Sequence, residues 1–355
     1  MPITAEKLTM LGPSLRLGSA TVFRAGGMAF SVDDAVASAC FRGELEAAMA
    51  ETLALAAIEA RMAEEGLEID DGALQASSER FRYEHDLISA GETEAWLNER
   101  GMNTADFGRW LYQRLCRETI AAAEDDAIPD DFPDLLRIHL WLSDEMGALA
   151  KRLRRRVAAD VELVQRGKPV SGEAVLKQFL DRRRFDGRSL SEWLSALARD
   201  QSWLESAARL ESAFDRLVIE ALTDEVRTAR LSSMGAALTR LEIDTLEFDS
   251  AAAAREAALC VHDDGASLAS VARDAGYHAE RSLMWADDLA GPFVQRLLGA
   301  AEGEVVGPIE RYGRFAVHQL LRKIEPSLAD ADVRGRIDEA VLDEYFDTIC
   351  SRHTQ

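Results

Sequence analysis

Histidine and cysteine, the side chains that most often bind metals or act as nucleophiles, are few in this chain and lie far apart. The six histidines are scattered between positions 85 and 353, and none stands in an HExxH motif or another spacing typical of metal ligands. The four cysteines, at positions 40, 116, 260 and 350, form no CxxC pair. The spacing therefore predicts no metal centre, no disulfide framework and no cofactor.

Carboxylates and glycines do not single out a reaction either. The chain has 63 Asp and Glu residues, so many carboxylate pairs are possible and no acid–base dyad can be chosen. Gly26-Gly27 is not followed by the Lys-Ser/Thr of a phosphate-binding loop, which favours a hairpin turn at that point. These residue types therefore identify no catalytic group by themselves.

The composition is strongly acidic without being that of a disordered chain. The 355 residues include 41 Lys and Arg against 63 Asp and Glu, a formal net charge of −22, while 47% of them are hydrophobic. A chain of this length and composition is expected to form two or three domains. The negative charge argues against nonspecific nucleic-acid binding and against docking on anionic membranes. It suits a basic polypeptide partner or a positively charged leader peptide.

No targeting segment is expected. The first 30 residues lack the basic start and apolar run of a signal peptide. No stretch approaches the roughly 18 consecutive apolar residues that a membrane-spanning helix needs. The expected compartment is the cytoplasm.

The elements that must position any site begin with a hairpin and a helix. Two short apolar segments flank Gly26-Gly27, which predicts two strands joined by a glycine turn. A helix capped by Asp33 or Asp34 is then expected to continue to about residue 65.

Two later segments share a pattern that predicts an internal repeat. In each, an Asp or Ser cap opens a helix, and a Trp-Leu pair follows at Trp96 or Trp193. A large apolar residue, Phe107 or Leu204, lies eleven positions after the Trp. Three helices in each copy would bury these residues against one another. Coincidence in a helical chain rich in Ala, Leu and Arg is the alternative.

Residues 151–156, with the sequence KRLRRR, form a basic run between these segments. Such a run either contacts phosphate or RNA, or lies on an exposed helix face and pairs with nearby acidic side chains. The second interpretation is favoured because the surrounding sequence is helical and acidic.

The pattern changes in the C-terminal third of the chain. After residue 204 one long helix is expected to continue to about residue 231. The following segments are predicted as a strand, three helices and two extended pieces, over residues 241–248, 251–262, 267–274, 292–298, 304–309 and 315–323. This order indicates a small α+β domain of about 90 residues. An amphipathic helix is expected over residues 331–351.

The predicted fold class is therefore mainly α with a small α+β domain. The expected division is a hairpin and helical module over residues 1–130, a second helical segment over 131–235, the α+β domain over 236–328 and a C-terminal helix over 329–355.

Residues 303–317 resemble the closing signature of the parvulin, or PpiC-type, peptidyl-prolyl isomerase domain. The run GEVVGP at residues 303–308, followed by Phe315 and an apolar strand, is similar to the family's Gly-Glu-Val-x-Gly-Pro run and the Phe-Gly-aromatic-His that follows it. The resemblance covers roughly residues 238–327. It implies a parvulin-like fold for the α+β domain and a site that binds proline.

The N-terminal half resembles the chaperone part of SurA-type proteins. Those proteins open with an Ala-x-Val hairpin around a glycine turn, as residues 20–34 do here, and continue with a helical bundle and parvulin domains. Proteins of this build also occur beside peptide natural-product pathways as maturation factors, and residues 81–97 are similar to theirs. The resemblance implies a helical SurA-like chaperone module followed by a parvulin-like domain.

The resemblance also assigns candidate site residues. Leu289 and Phe293 fall where the family places a methionine and a phenylalanine that grip the substrate proline. The family's two histidines, on its first and last strands, align with Thr245 and Phe315, and its cysteine or aspartate position falls near His278. The domain therefore resembles a degenerate member whose hydrogen-bond network is dismantled, with Thr245 and His278 as the remaining catalytic candidates.

The expected peptide-binding residues are Leu289, Phe293, Phe315, Met284 and Trp285. Met284 and Trp285 either line a peptide groove or pack in the core. His278 is either a relic polar group of the site or a surface histidine in a loop. His318 lies three residues after Phe315, so it is expected to face away from the groove and receives no role.

Three functions fit these observations. The first is a SurA-like folding or maturation factor that binds extended polypeptide and has little or no isomerase activity. The second is an active isomerase that uses Thr245 and His278. The third is a scaffold for one dedicated partner.

Overall fold

The computed structural model of the chain describes residues 12–14, 16–119, 128–183, 185, 187–289, 292–311 and 313–355. In these residues the chain forms 15 α-helices, a two-stranded hairpin and a four-stranded sheet. The predicted fold class, mainly α with a small α+β domain, is confirmed. None of the described helices is both long enough and apolar enough to span a bilayer.

The chain divides into two units. One comprises Met1–Val218 with Tyr345–Gln355, and the other comprises Ile219–Glu344. The finer division at residues 130, 235 and 328 stays a prediction.

The first unit begins with the predicted hairpin, β1 (Thr21–Ala25) and β2 (Met28–Ser31). Gly26 and Gly27 both have positive φ, 56° and 82°, as a two-residue hairpin turn whose twist matches its strands requires. The rings of Phe23 and Phe30 stack at 4.7 Å across the two strands.

The single helix predicted for residues 33–65 is two helices, α1 (Val32–Arg42) and α2 (Glu46–Glu65). Gly43 ends α1 in the left-handed conformation, at φ 78°. Ser31, not Asp33 or Asp34, caps α1, and Asp34 completes a capping box with it. The apolar spacing continues across Gly43, which is why the sequence pattern did not show the break.

Eight further helices complete this part of the chain: α3 (Asp71–Glu84), α4 (Ala90–Glu99), α5 (Thr104–Thr119), α6 (Phe132–Leu142), α7 (Glu145–Gln165), α8 (Glu173–Arg183), α9 (Gly187–Ala196) and α10 (Gln201–Ala221). The two segments of the predicted repeat correspond to α3–α5 and α8–α10. In the first segment the Trp96 ring lies 5.8 Å from Phe81, and in the second the Trp193 ring lies 5.4 Å from Phe179. Whether the two segments are true repeats stays a prediction.

The basic run lies on α7 and pairs with acidic side chains, as the favoured interpretation predicts. Arg152 contacts Glu44 at 3.3 Å, and Arg156 contacts Glu211 at 2.6 Å. These guanidinium groups are therefore engaged within the protein.

The second unit holds the α+β domain. Its elements are α11 (Asp224–Met234), β3 (Arg240–Phe248), α12 (Ala251–Asp264), α13 (Leu268–Asp274), β4 (Glu280–Trp285), α14 (Pro292–Gly299), β5 (Val305–Arg311), β6 (Arg314–Ile324) and α15 (Ala331–His353), the last of which continues beyond this unit. The sheet is antiparallel, in the order β4-β3-β6-β5.

The long helix predicted for residues 204–231 is also interrupted. It is formed by α10 and α11, which are separated at Leu222-Thr223. Thr223 has an extended backbone, and its side chain accepts a hydrogen bond from the Val226 N–H, so it caps a new helix.

Helices cover both faces of the sheet. On one face Leu246, Phe248 and Val317 pack against residues of α12 and α13. On the other face Leu241 and Leu320 pack with residues of α14. The side chains of β3 and β6 therefore alternate between an α12 face and an α14 face.

Candidate functional site

Three polar side chains form a row across the sheet. Thr245 lies at the centre, on β3, directly opposite Glu280 on β4 and His318 on β6. Directly opposed residues of an antiparallel sheet point to the same face. His318 is in turn opposite Val306, which is buried in the cluster beside α14. The row therefore lies on the α14 face.

Thr245 and His318 are hydrogen-bonded. The Thr245 Oγ1 atom lies 2.9 Å from the His318 Nδ1 atom. Burial lowers the pKa of His318 to about 4, because the charged imidazolium is poorly solvated there. At neutral pH the imidazole is therefore uncharged, and it carries one N–H donor and one acceptor nitrogen.

An apolar wall adjoins this pair. The ring centroids of Phe293, on α14, and His318 lie 4.4 Å apart at an interplanar angle of 45°. Leu289 and Met284 belong to the same cluster and pack against its buried members. The structure thus brings together four residues that the sequence singled out, namely Thr245, Met284, Leu289 and Phe293.

Two other expected peptide-binding residues lie elsewhere. Phe315 is opposite Phe248 and packs on the α12 face, so it is separated from Phe293 by the sheet. Trp285 packs in a cluster with Leu238 and α15, with the guanidinium of Arg336 at 4.5 Å over its ring. Of the two interpretations of Trp285, packing within the fold is the one that the contacts favour.

His278 is a surface residue. It is exposed in the loop between α13 and β4. Glu280, two residues later, is the side chain that the strand register places opposite Thr245. The sequence offered no sign of Glu280, because β4 was not predicted as a strand.

The sequence alignment also misplaced the histidine of the last strand. It put that position at Phe315 and expected His318 to face away from the site, whereas the structure places His318 opposite Thr245 and against Phe293. Residues three apart on a strand face opposite sides. Because Phe315 lies on the α12 face, His318 must lie on the α14 face. The signal was present: in Phe315-Ala316-Val317-His318, the first and fourth residues match the Phe-Gly-aromatic-His run of the resemblance.

An ion pair between an exposed arginine and a buried aspartate holds β4 in register beside this row. The Asp244 carboxylate, only 3% exposed, accepts two hydrogen bonds from Arg281, at 2.8 and 3.0 Å. This bidentate contact raises the pKa of the Arg281 guanidinium. It fixes the position of Glu280, the neighbour of Arg281, on the edge strand.

The described part of the chain shows no group of three or more His, Cys, Asp or Glu side chains that could hold a metal ion. The arrangement that it does show is a neutral donor–acceptor pair beside an apolar wall. Such a site can bind an apolar group that carries a hydrogen-bonding carbonyl.

The fold and the site define a helical protein whose α+β domain carries a Thr–His pair next to a phenylalanine. No protein-family model and no curated protein sequence matches the chain. Solved structures to which it is similar include the foldase protein PrsA from Streptococcus pneumoniae, at 15% identity and a TM-score of 0.26, over 57% of this chain and 79% of that one.

A peptidyl-prolyl isomerase, PrsA, from Bacillus anthracis is similar at 12% identity and a TM-score of 0.29, over 57% of this chain and 94% of that one. A SurA-like chaperone structure from Campylobacter jejuni is similar at 9% identity and a TM-score of 0.19, over 59% and 82% of the two chains.

Proposed function

We propose that the protein is a folding or maturation factor of the cytoplasm that binds extended polypeptide, and that its parvulin-like domain holds a proline of the client. The observation that carries this proposal is the Phe293 ring against His318, which is hydrogen-bonded to Thr245. The four free cysteines suit a reducing compartment, and cell fractionation tests that part of the proposal.

The site matches the chemistry of proline. A proline ring is apolar, and its nitrogen has no hydrogen to donate. A site that binds proline therefore needs an apolar surface for the ring and a hydrogen-bond donor for the neighbouring carbonyl. Phe293 and Leu289 supply the surface, and the uncharged Thr245–His318 pair supplies a donor.

Binding is proposed to dominate over catalysis. Isomerisation is accelerated only by interactions that are stronger with the twisted imide than with the planar one. Thr245 occupies the position that the resemblance gives to a histidine, so one of the two imidazoles of that network is missing. We therefore expect little isomerase turnover from the natural chain.

A binding assay tests the proposal. The probe is a fluorescein-labelled extended peptide with one Leu-Pro pair, compared with the same peptide carrying Ala in place of Pro. We expect Phe293→Ala to weaken binding of the proline peptide by roughly tenfold, which corresponds to about 1.4 kcal/mol. The matched control is Phe315→Ala, which removes a ring of the same size from the opposite face of the sheet and should leave affinity unchanged.

Equal loss of affinity in both variants, or equal binding of the two peptides, would mean that Phe293 does not grip proline. Circular dichroism of each variant verifies that the fold is retained. Capture of one dedicated partner, without suppression of aggregation of a general client, would instead favour the scaffold function.

The second candidate is an active isomerase, and the retained His318 is the observation that favours it. A protease-coupled assay with a Leu-Pro peptide measures the turnover. If the missing imidazole limits catalysis, Thr245→His should raise kcat/KM, and Phe293→Ala should abolish the gain. Loss of this turnover in His278→Gln would indicate that His278 takes part.

A further inference from the structure

A second concave surface lies in the first unit, far along the chain from the Thr–His pair. Helices α3, α4 and α5 enclose a cavity of about 400 Å³, within the range of about 300–1,000 Å³ that is common for ligand sites. Leu74, Phe107 and Leu111 line it, and Ala90 and Thr93 complete its wall. We name it the α3–α5 groove.

A glycine keeps this groove open. Gly108 lines the cavity and lies within α5, where glycine stabilises a helix less than alanine does. A Cβ atom built at Gly108 would meet no atom within 4 Å, so the fold itself does not require glycine at this position. The space that a side chain would occupy belongs to the groove.

Two exposed apolar residues lie in and next to the α3–α4 loop, at one end of the groove. Arg82 lines the cavity, and its guanidinium donates to the backbone carbonyl of Ile88 at 2.7 Å, which places the α3–α4 loop at that end. Ile88 is 86% exposed and Tyr83 is 87% exposed.

Two of the three helices around the groove, α3 and α4, are acidic. From Asp70, the cap of α3, to the end of α4, the acidic residues are Asp70, Asp71, Glu79, Glu84, Asp86, Glu92, Glu94 and Glu99. The only basic residues there are Arg80 and Arg82, and Arg82 is engaged with loop carbonyls. Helix α5 has two acidic and three basic residues, and the stretch of the second helical segment that corresponds to α3 and α4, residues 172–196, has four acidic and five basic residues, so the acidic excess is particular to α3 and α4.

We propose that the α3–α5 groove docks apolar side chains of a basic peptide segment of the client. An apolar floor flanked by two acidic helices is complementary to a segment in which Leu-like residues alternate with Lys or Arg. The inference deepens the proposed function and rests on it for the polypeptide nature of the ligand. It does not require the proline site.

The test uses the full chain and the proline-free peptide LKKLLKKLLKKL, labelled with fluorescein. Fluorescence anisotropy should show binding that is roughly tenfold or more weakened by Gly108→Leu, because the new side chain begins at a Cβ atom that meets no atom within 4 Å and extends into the groove. Gly147→Leu is the matched control: Gly147 is an exposed helical glycine with no atom within 4 Å of a built Cβ, and its replacement should leave affinity unchanged.

The charge requirement is tested separately. Glu79→Lys with Glu94→Lys, next to the lining residues Ser78 and Thr93, should weaken binding of the peptide. Glu256→Lys with Asp264→Lys makes the same change in net charge on exposed positions of α12 and should have much less effect. The peptides LEELLEELLEEL and SKKSSKKSSKKS should both bind at least roughly tenfold more weakly than the probe.

Undiminished binding in Gly108→Leu would overturn the proposal, and so would equal binding of the acidic peptide. Self-association of the chain that Gly108→Leu abolishes, without peptide binding, would assign the groove to a second copy instead. Because the probe contains no proline, failure here is distinguishable from failure of the Phe293 site.

Discussion

At the scale of single residues, the neutral His318 determines what the candidate site can do. Its pKa is lowered to about 4 by burial, and its Nδ1 atom is engaged with Thr245. A histidine with this pKa stays uncharged at neutral pH. Its role at the site is therefore that of a fixed hydrogen-bonding group, and not of a general acid or base.

The same burial links His318 to stability. Between pH 6.5, the ordinary histidine pKa, and pH 4 the unfolded chain binds a proton that the folded chain does not, so stability falls as the pH is lowered through this window. Well above pH 6.5 His318 is unprotonated in both the folded and the unfolded chain, so it no longer affects stability. We expect His318 to account for a loss of about 1.4 kcal/mol between pH 7.5 and pH 5.5.

The measurement is urea unfolding at pH 7.5 and pH 5.5, with hydrogen exchange of β6 amides reporting on this sheet. The lower pH stays above the pI near 4.7, where solubility falls. His318→Gln should lose less stability between the two conditions than the natural chain, whereas His278→Gln, in an exposed loop, should behave as the natural chain does. An identical slope in His318→Gln would show that His318 is not held uncharged.

Four of the site residues could be recognised from the sequence, because Thr245, Met284, Leu289 and Phe293 do lie on or beside one face. His318 was missed because Phe315 was taken to face the site. Side chains alternate between the two faces of a strand, so one residue placed on the wrong face puts all the residues of β6 on the wrong face. Glu280 could not be recognised. It is on an edge strand with exposed side chains, such as Leu283 at 53%, so the alternation that marks a strand is absent.

At the scale of elements, Gly307 allows β5 to pass beside β6. Its φ is 140°, and a Cβ atom built there would lie 2.9 Å from the Ala316 carbonyl oxygen and 3.1 Å from the Val317 Cα atom. The register of β5 and β6 shifts between Val306 and Ile309, on either side of this glycine. The close approach places Val306 opposite His318, so Gly307 supports the site through the strand pairing.

Gly307→Ala should therefore destabilise the α+β domain by roughly 1–3 kcal/mol, since it adds both backbone strain and a collision with backbone atoms. Gly313→Ala is the control, because Gly313 also has positive φ, at 77°, but a Cβ there meets no atom within 4 Å. Thermal unfolding should show a larger decrease in Tm for Gly307→Ala. Equal decreases would mean that the backbone at Gly307 moves to accommodate the added Cβ atom.

The helices were predicted better than their interruptions. Long intervals without proline and recurring apolar positions indicated most of them, but the breaks at Gly43 and Thr223 depend on the conformation of one or two backbone residues. An apolar stripe continues in register across such a break, so periodicity alone joins the two helices. Cap residues decide these boundaries: Gly43 ends α1 in the left-handed conformation, and Thr223 caps the start of α11.

At the scale of the whole molecule, the net charge of −22 would attract basic polypeptide. The two proposed sites differ in chemistry: the Phe293 site selects an apolar ring and a carbonyl, and the α3–α5 groove adds a preference for cations. A negative protein attracts basic polypeptide over a distance set by the ionic strength, about 10 Å at 0.1 M and 3 Å at 1 M. This attraction acts mainly on the encounter of the two molecules.

Salt should therefore change the association rate constant much more than the dissociation rate constant. We expect the association rate constant of LKKLLKKLLKKL to fall by roughly tenfold or more between 20 mM and 500 mM NaCl, while the dissociation rate constant, set by apolar contacts in the groove, changes by less than about threefold. Stopped-flow anisotropy measures both constants. A peptide with Ser in place of Lys serves as the uncharged control, and its association rate should not depend on salt. If salt acted mainly on dissociation, the charges would lie in direct contact with the bound peptide, and the groove would be recognised chiefly through ion pairs.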